Sequence, residues 1–170
     1  PKTIFENIYK LEPGHSLFID KEGMTTEQYW DLSFKNQNTD SETNISNSLL
    51  NEIEQSTIRR MVSDVPLGAF LSGGVDSSAI VALMAKNSST AVTTCAIGFD
   101  SKEFDEVDFA QDVADQFKTD HHEFTVRENV ADNIEKIVSF FDEPFADPSL
   151  IPTYFVSQLA RQKVTVALAG

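Results

Sequence analysis

Segments typical of buried strands alternate with segments of helical periodicity over most of this chain. Leu50, Ile53, Thr57 and Met61, for example, repeat at the spacing of one helix face. This alternation predicts an α/β fold, with a parallel twisted sheet and helices on both of its faces. The predicted strands are 65–71, 92–99, 121–126 and 163–168, and the predicted helices are 46–62, 75–86, 103–118, 129–141 and 151–162.

The first 34 residues have a different pattern, made of short extended pieces. Ser16–Ile19 and Thr26–Trp30 are separated by Asp20–Gly23, which predicts a β-hairpin. Residues 35–44 are polar and lack periodicity, which is typical of a linker. The pattern therefore predicts a hairpin unit over 1–34, a linker over 35–44 and the α/β unit over 45–170.

A glycine-rich turn, Ser72–Ser78, joins the first predicted strand of the sheet to the next helix. A strand, a glycine turn and a helix together direct backbone N–H groups at an anion. Gly73 and Gly74 let the main chain approach a ligand closely. Further hydroxyl donors surround the same turn, on Ser72, Ser77 and Ser78. An ordinary strand-to-helix turn is the alternative, but the whole seven-residue string favours a phosphate site.

Asp76 and a missing lysine indicate which phosphate chemistry this turn serves. The Asp76 carboxylate would repel a bare phosphate, but it is suited to a Mg²⁺ ion held between carboxylate and phosphate. No lysine lies between Gly68 and Lys86, whereas the common nucleotide P-loop ends in glycine-lysine-serine or threonine. The turn therefore suits a pyrophosphate product and favours cleavage between the α- and β-phosphates.

The Ser72–Ser78 string resembles the PP-loop of the N-type ATP pyrophosphatases, which include asparagine, GMP, NAD and argininosuccinate synthetases. Arg59–Ser78 resembles the start of the synthetase domain of glutamine-dependent asparagine synthetases, and residues 1–34 resemble the end of their amidotransferase domain. Further landmarks of that family are Thr3-Ile4-Phe5, Leu11, Pro13-Gly14-His15, Tyr29-Trp30, Gly98-Phe99, His121-His122-Glu123, Asp142-Glu143-Pro144 and the strand 164–168.

This resemblance implies an adenine nucleotide alpha hydrolase-like fold and an ATP-dependent carbon–nitrogen ligase. It implies Mg²⁺ bound by Asp76, ATP as the nucleotide, and aspartate or another carboxylate that is adenylated before it accepts ammonia from a glutaminase domain. It also allows a homodimer of the full-length enzyme. The positions implied to contact the nucleotide or its pyrophosphate are Phe70, Ser72, Gly73, Gly74, Asp76, Ser77, Ser78, Ile97, Gly98 and Gly170.

Asp147 and Ser149 border the acceptor site by resemblance, and helix capping explains the same pattern. Phe70 and Ile97 also fit ordinary strand cores. The acidic group at 103–108 fits a solvated helix start better than a metal site. His121 and His122 are adjacent in a predicted strand and point to opposite faces, which favours structural roles over a zinc site.

The chain departs from the family pattern at both ends. Glutamine hydrolysis in the family uses an N-terminal cysteine, whereas residue 1 is proline and Cys95 lies in an apolar run, where a small buried residue is expected. The chain stops at Ala169-Gly170, with alanine where serine is usual. We therefore expect a fragment that lacks the glutaminase half and is inactive in isolation.

Charge and composition exclude further classes of function. The net charge of −14 argues against nucleic-acid binding, and no segment is long and apolar enough to span a bilayer. A cytoplasmic location is the expectation, without a membrane partner. Two other functions stay open: a related amidotransferase or β-lactam-synthetase-like enzyme with another acceptor, and a nucleotide-binding or packing module that catalyses nothing.

Overall fold

Four parallel strands form the main sheet of the computed structural model, which describes residues 2–35, 37–99, 107–126 and 130–170. A two-stranded antiparallel hairpin precedes this sheet. The elements are β1 (His15–Ile19), β2 (Met24–Gln28), α1 (Glu42–Arg60), β3 (Leu67–Phe70), α2 (Val75–Asn87), β4 (Thr93–Phe99), α3 (Val107–Phe117), β5 (Asp120–Val126), α4 (Val130–Val138), α5 (Leu150–Ala160) and β6 (Val166–Leu168).

The strand order of the sheet is β5-β4-β3-β6, and every neighbouring pair is parallel. Phe70 pairs with Cys95 of β4, while Ala69 pairs with Leu168 of β6. The chain therefore moves outward from β3 to β5 and returns on the other side of β3. Ligands of open α/β sheets bind at such a reversal, beyond the carboxyl ends of the strands.

Helices cover both faces of this sheet, as the sequence predicts. Neighbouring residues of a strand point to opposite faces. Ala69 and Ala96 accordingly join a core cluster with side chains of α2 and α3, while Cys95 joins a second cluster with Ala160 of α5. The α/β prediction is confirmed, and Cys95 is buried as expected.

Helix α1 begins at Glu42, four residues before the predicted start and inside the predicted linker. Ser41 is its N-cap, and the Ser41 side chain accepts a hydrogen bond from Asn44 N. Glu42 adds a negative charge to the first turn, where the helix dipole favours it. This capping signal outweighs the polar, aperiodic character that predicted a linker.

Strands β3 and β6 are each three residues shorter than predicted, for local reasons. Val65 N donates to Ser63 Oγ and Pro66 has no N–H, so β3 begins at Leu67. Helix α5 ends at Ala160, and its last turn continues because Val164 N still donates to Ala160 O at 2.8 Å. Strand β6 consequently begins at Val166.

Helices α2, α3 and α4 differ from their predictions in smaller ways. Val81 and Met84 of α2 are fully buried, but Val75 is 86% exposed, so this helix is not buried all round as predicted. The predicted start of α3 at 103–106 and Asn129 before α4 lie outside the described residues. Helix α4 ends at Val138, three residues before the predicted end.

The hairpin of β1 and β2 confirms the predicted turn. Asp20 Oδ1 accepts hydrogen bonds from Glu22 N at 2.8 Å and Gly23 N at 3.1 Å, which closes it. Within 2–35 only Thr3, Gly14 and His15 are half-buried, and the other described residues are exposed. No helix in the described part of the chain is long and apolar enough to cross a membrane.

Candidate functional site

The Ser72–Ser78 turn lies at the carboxyl end of β3, at the reversal of the sheet. Gly73 adopts φ +80°, and a Cβ at this position would lie 2.5 Å from Phe109 Cβ and 2.8 Å from Ala110 N. Both the left-handed backbone and the close approach of α3 therefore require glycine here. The turn is fixed from one side by the first residues of α3.

A small hydrogen-bond network organises the turn from within. Ser77 Oγ lies 3.0 Å from Ser72 Oγ, accepts from Ser72 N and donates to Gly74 O at 3.2 Å. Ser72 Oγ also accepts from Gly74 N at 3.3 Å. Ser77 is buried, so its hydroxyl holds the turn in shape.

Helix α2 presents backbone donors that lack a helical acceptor at this turn. Its first helical hydrogen bond runs from Ser78 N to Gly74 O at 3.0 Å. The N–H groups of Val75, Asp76 and Ser77 precede that bond and have no acceptor within the helix. Gly74, Val75 and Asp76 are exposed, so the helix N-terminus is open to solvent. The positive end of the helix dipole is thus available to an anion.

Gly170 brings the end of β6 against the same helix start. A Cβ at Gly170 would overlap the peptide group between Asp76 and Ser77. Only glycine allows this contact without moving one of the two segments. The structure therefore brings two predicted positions, Gly170 and the turn, together from opposite ends of the α/β unit.

A cavity of about 350 Å³ opens beside the turn, at the ends of β3 and β4. It contains three of the predicted contact positions, Phe70, Ser72 and Ile97. Its remaining walls are Leu71, Cys95 and Ala96 of the strands, Val107 and Ala110 of α3, and Pro152, Thr153 and Val156 of α5. A mostly apolar cleft with few polar groups is typical of a small-molecule site.

Ile97 offers a polar edge to this cavity through its main chain. Leu71 N donates to Cys95 O at 2.9 Å, where the pairing of β3 with β4 ends. Backbone groups two residues apart in a strand point to the same side. The N–H and C=O of Ile97 consequently turn to the side of β4 that β3 no longer covers. They form a donor and acceptor pair at the edge of the cavity.

Other predicted positions lie apart from the cavity lining. Gly98 is buried in β4, between Ile97 and the last residue of the strand. Asp147 and Ser149 precede α5, and Asp147 Oδ1 accepts from Ser149 N at 2.8 Å and Ser149 Oγ at 2.7 Å. These bonds lower the pKa of the Asp147 carboxyl. The Ser149 side chain makes no capping bond to α5, so the predicted capping by Ser149 is wrong, while the Asp147 carboxylate binds a backbone N–H directly before the helix.

Sequence reasoning missed the walls that α3 and α5 contribute. Val107 and Ala110 have the spacing of one helix face, as do Pro152 and Val156, but so do ordinary core residues. The sequence offered one signal near these walls, the proline at the start of α5. That proline indicates a helix N-terminus and gives no indication of a pocket wall. Contacts across the end of the sheet brought these side chains to the cavity.

Two polar groups near the turn fit a Mg²⁺–phosphate ligand. Ser78 Oγ is buried and has no hydrogen-bond partner among the described residues. Asp76 presents an exposed carboxylate in the first turn of α2. In the described ranges there is no group of three or more His, Cys, Asp or Glu side chains that could hold a metal ion. A metal at Asp76 would therefore need phosphate oxygens or water as further ligands.

The histidines have local partners at the opposite, amino-terminal end of the sheet. His121 Nδ1 lies 2.9 Å from Thr94 Oγ1, and His122 Nε2 lies 3.2 Å from Asp120 Oδ2. Burial lowers the pKa of His121, mainly by desolvating its charged form. These bonds agree with the structural roles expected for both residues. Of the acidic group at 103–108, only Asp108 is described, and it is exposed in the first turn of α3.

Comparisons with known proteins relate the chain to one family. A family model described as asparagine synthase matches residues 48–170. Asparagine synthetase (glutamine-hydrolyzing) 1 of Bacillus subtilis is 38% identical over 172 aligned residues, which cover the whole chain and 27% of that protein. A putative asparagine synthetase (glutamine-hydrolyzing) 2 of Methanocaldococcus jannaschii is 39% identical over the whole chain and 33% of that protein.

The chain thus spans a third or less of the length of these curated relatives. Among solved structures, an NMN synthetase from Francisella tularensis is similar with a TM-score of 0.47 and 16% identity. That similarity covers 75% of this chain and 53% of the other.

Proposed function

The chain belongs to the asparagine synthase family, and we propose that it forms the Mg-ATP-binding part of a synthetase that converts a carboxylate to an amide. The observation that carries this proposal is the open turn at Ser72–Ser78. It lies at the reversal of the sheet, beside a cavity of about 350 Å³ with an apolar wall and the main-chain edge of Ile97 that β3 does not cover. Phosphates at the turn and a base in the cavity account for both features.

In this proposal the turn holds the β- and γ-phosphates of ATP. The backbone N–H groups at the start of α2 supply the donors, and Ser72 Oγ and Ser78 Oγ supply hydroxyls. Ser77 contributes its backbone N–H to these donors, while its hydroxyl keeps the turn in shape through bonds to Ser72 and Gly74. Gly73 lets α3 pack closely against the turn, and Gly170 lets the end of β6 lie against the start of α2 without a side chain between them.

Asp76 is the proposed metal ligand. When bound, Mg²⁺ supplies positive charge that offsets the charge of the leaving phosphates. The Asp76 carboxylate holds that charge at the first turn of α2, next to the donor groups. The chain's contribution to the reaction is then positioning and charge neutralisation, with no covalent role for its side chains.

The proposed reaction begins when a carboxylate oxygen of the acceptor attacks the α-phosphorus of ATP, and the bond to the β-phosphate oxygen breaks. Ammonia then attacks the acyl carbon, AMP leaves and the amide forms. Aspartate is the proposed acceptor, because both curated relatives are named asparagine synthetases. Asp147 and Ser149 are proposed to border the acceptor, although their own contacts are local.

The test of this proposal compares Asp76→Asn with the matched control Asp132→Asn, which removes an exposed carboxylate on α4. Titration calorimetry with ATP at several Mg²⁺ concentrations measures binding to the chain. We expect Asp76→Asn to weaken the Mg²⁺-dependent binding by about tenfold or more, which corresponds to about 1.4 kcal/mol. Asp132→Asn should bind like the unchanged chain.

The reaction itself is measured as pyrophosphate release from ATP in the full-length enzyme, with and without aspartate. Release that requires aspartate supports the proposed acceptor, and release that requires another carboxylate supports a related enzyme. Unchanged Mg²⁺ dependence in Asp76→Asn would contradict the metal role. A chain that binds neither ATP nor pyrophosphate would contradict the nucleotide site as a whole.

A further inference from the structure

We propose that the ion pair between Lys10 and Glu143 is a positioning contact, which holds α5 against the cavity at the end of β3 and β4. The pair joins the N-terminal segment to the connection between α4 and α5. This inference rests on the proposed function only in regarding that cavity as the nucleotide site. Among the described residues, no hydrogen bond or ion pair joins Lys10 or Glu143 to a residue proposed to bind ATP, so the pair acts through the helix.

The contact between Lys10 and Glu143 changes the pKa of the Glu143 carboxyl. Lys10 Nζ and Glu143 Oε1 are in direct contact, and the Glu143 side chain is 27% exposed. The hydrogen bond from Lys10 is the main cause of a lowered pKa at the Glu143 carboxyl, and a backbone N–H donated by Ile4 acts in the same direction. Two parts of the N-terminal segment therefore bind one carboxylate.

Apolar surface surrounds this polar contact. A cavity of about 570 Å³ separates the N-terminal segment from the connection, with Phe5, Ile8 and Tyr9 on one side and Phe141 and Phe145 on the other. Such a loosely filled interface provides few contacts per residue. The ion pair thus supplies a directed link where packing is incomplete.

The connection leads directly from this link to the proposed nucleotide cavity. The rings of Phe141 and Phe145, which flank Glu143 in the sequence, stack on each other with centroids 4.8 Å apart. Leu150, the first residue of α5, faces a second cavity of about 360 Å³ that Phe5 also lines. Pro152, two residues later, is a wall of the nucleotide cavity. A shift of the connection would therefore move the wall.

Cys95 provides a direct measure of this cavity. It is the only cysteine of the chain, it is 1% exposed, and it lines the cavity opposite α5. Because so little of the Cys95 side chain is exposed, alkylation requires the cavity to open, and burial also raises the pKa of the thiol, which slows the reaction of the closed form. The rate of reaction with iodoacetamide consequently reports how often α5 moves away from the strands.

The experiment measures Cys95 alkylation in the full chain and in Lys10→Ala, Glu143→Gln and the double variant. We expect each single variant to accelerate alkylation about two- to fivefold, as the loss of one ion pair would allow. The double variant should be no faster than the faster single variant. Lys10→Arg should keep the original rate, and exchanging the charges in Lys10→Glu/Glu143→Lys should restore much of it.

Lys21→Ala is the control, because Lys21 is an exposed lysine of the hairpin turn. Equal rates in this control and in the two pair variants would overturn the inference, as would additive effects in the double variant. The urea dependence of the alkylation rate separates local opening from global unfolding, and acceleration that follows global stability would also overturn the inference.

Mg-ATP should slow alkylation in the unchanged chain. A failure of that protection alone counts against the nucleotide site and leaves the positioning role intact.

Discussion

At the residue scale, the neighbouring hydroxyls of Ser77 and Ser78 in the turn have different surroundings. Ser77 Oγ takes part in three contacts within the turn, while Ser78 Oγ is buried and has no partner among the described residues. The sequence Ser77-Ser78 gives no indication of this difference, since both residues occupy the first turns of a predicted helix. Only the return of the chain from Ser72 to Ser77 gives the Ser77 hydroxyl its bonds within the turn and leaves Ser78 Oγ without a partner among the described residues.

Gly73 gives the sharpest prediction at this scale. Gly73→Ala places a Cβ at φ +80° and 2.5 Å from Phe109 Cβ, so it adds backbone strain to a steric overlap. We expect the free energy of unfolding to fall by about 1–3 kcal/mol. Urea denaturation followed by circular dichroism measures the change, and ATP binding should be lost together with it.

Substitutions at two other glycines separate the two causes of the lost stability, backbone strain and steric overlap. At Gly74, φ is −67° and the nearest atom to an added Cβ is Ser72 Oγ at 3.3 Å, so Gly74→Ala should cost much less stability. At Gly23, φ is +138° and nothing lies within 4 Å, so Gly23→Ala isolates the dihedral strain. Equal losses in Gly73→Ala and Gly74→Ala would show that the contact with α3 is unimportant.

At the element scale, the sequence predicts the strand–turn–helix unit well and the cavity poorly. The turn is encoded within Ser72–Ser78, so local pattern is sufficient to find it. The cavity depends on how far β4 extends beyond the end of β3 and on which helices face that uncovered part of β4. Pro152 and Ala110 are 42 residues apart, and their apolar character is equally consistent with an ordinary core. The strand order decides their role, and no local signal encodes it.

A histidine at the pairing of β4 with β5 makes the stability of the fold depend on pH. Thr94 Oγ1 is buried and lies 2.8 Å from Thr119 Oγ1 and 2.9 Å from His121 Nδ1. His121 Nε2 is buried and has no partner among the described residues, so a charged ring would leave a buried N–H unsatisfied. The charges of Glu123 and Asp115 oppose this effect, and desolvation outweighs them.

The lowered pKa of His121 fixes the direction of the pH effect. The unfolded chain takes up a proton near the ordinary value of about 6.5, whereas the folded chain does so only at lower pH. His121 therefore lowers stability as pH falls below about 6.5, and has no effect above it. Urea denaturation between about pH 5.5 and 7.5 should show this slope, and His121→Asn should reduce it.

NMR titration of the His121 ring is the independent measurement. Its midpoint should lie below that of a histidine in an unfolded peptide, and Thr94→Val should change it by removing the partner of Nδ1. A midpoint at or above the peptide value would contradict the burial argument. A slope that His121→Asn leaves unchanged would assign the pH dependence to other groups.

At the scale of the whole molecule, the α/β unit does not depend on the N-terminal segment for its core. All the buried core side chains of the described residues fall between Thr57 and Val164, and both core clusters belong to that range. Residues 2–35 instead expose many large apolar side chains, among them Phe18, Trp30 and Phe34. The link at Lys10 and Glu143 is electrostatic and partly solvated, which limits its contribution to global stability.

Removal of residues 1–40 tests this division of roles. The shortened chain keeps Ser41, the N-cap of α1, so we expect it to fold with an unfolding midpoint within about 5 °C of the original, a shift that corresponds to about 1–2 kcal/mol. Because the same deletion removes Lys10, Cys95 alkylation should accelerate as in Lys10→Ala. A large loss of stability would place part of the folding core in the N-terminal segment. Retained stability with unchanged alkylation would mean that α5 needs no support from Lys10, whereas retained stability with faster alkylation separates the folding of the α/β unit from the positioning of its cavity.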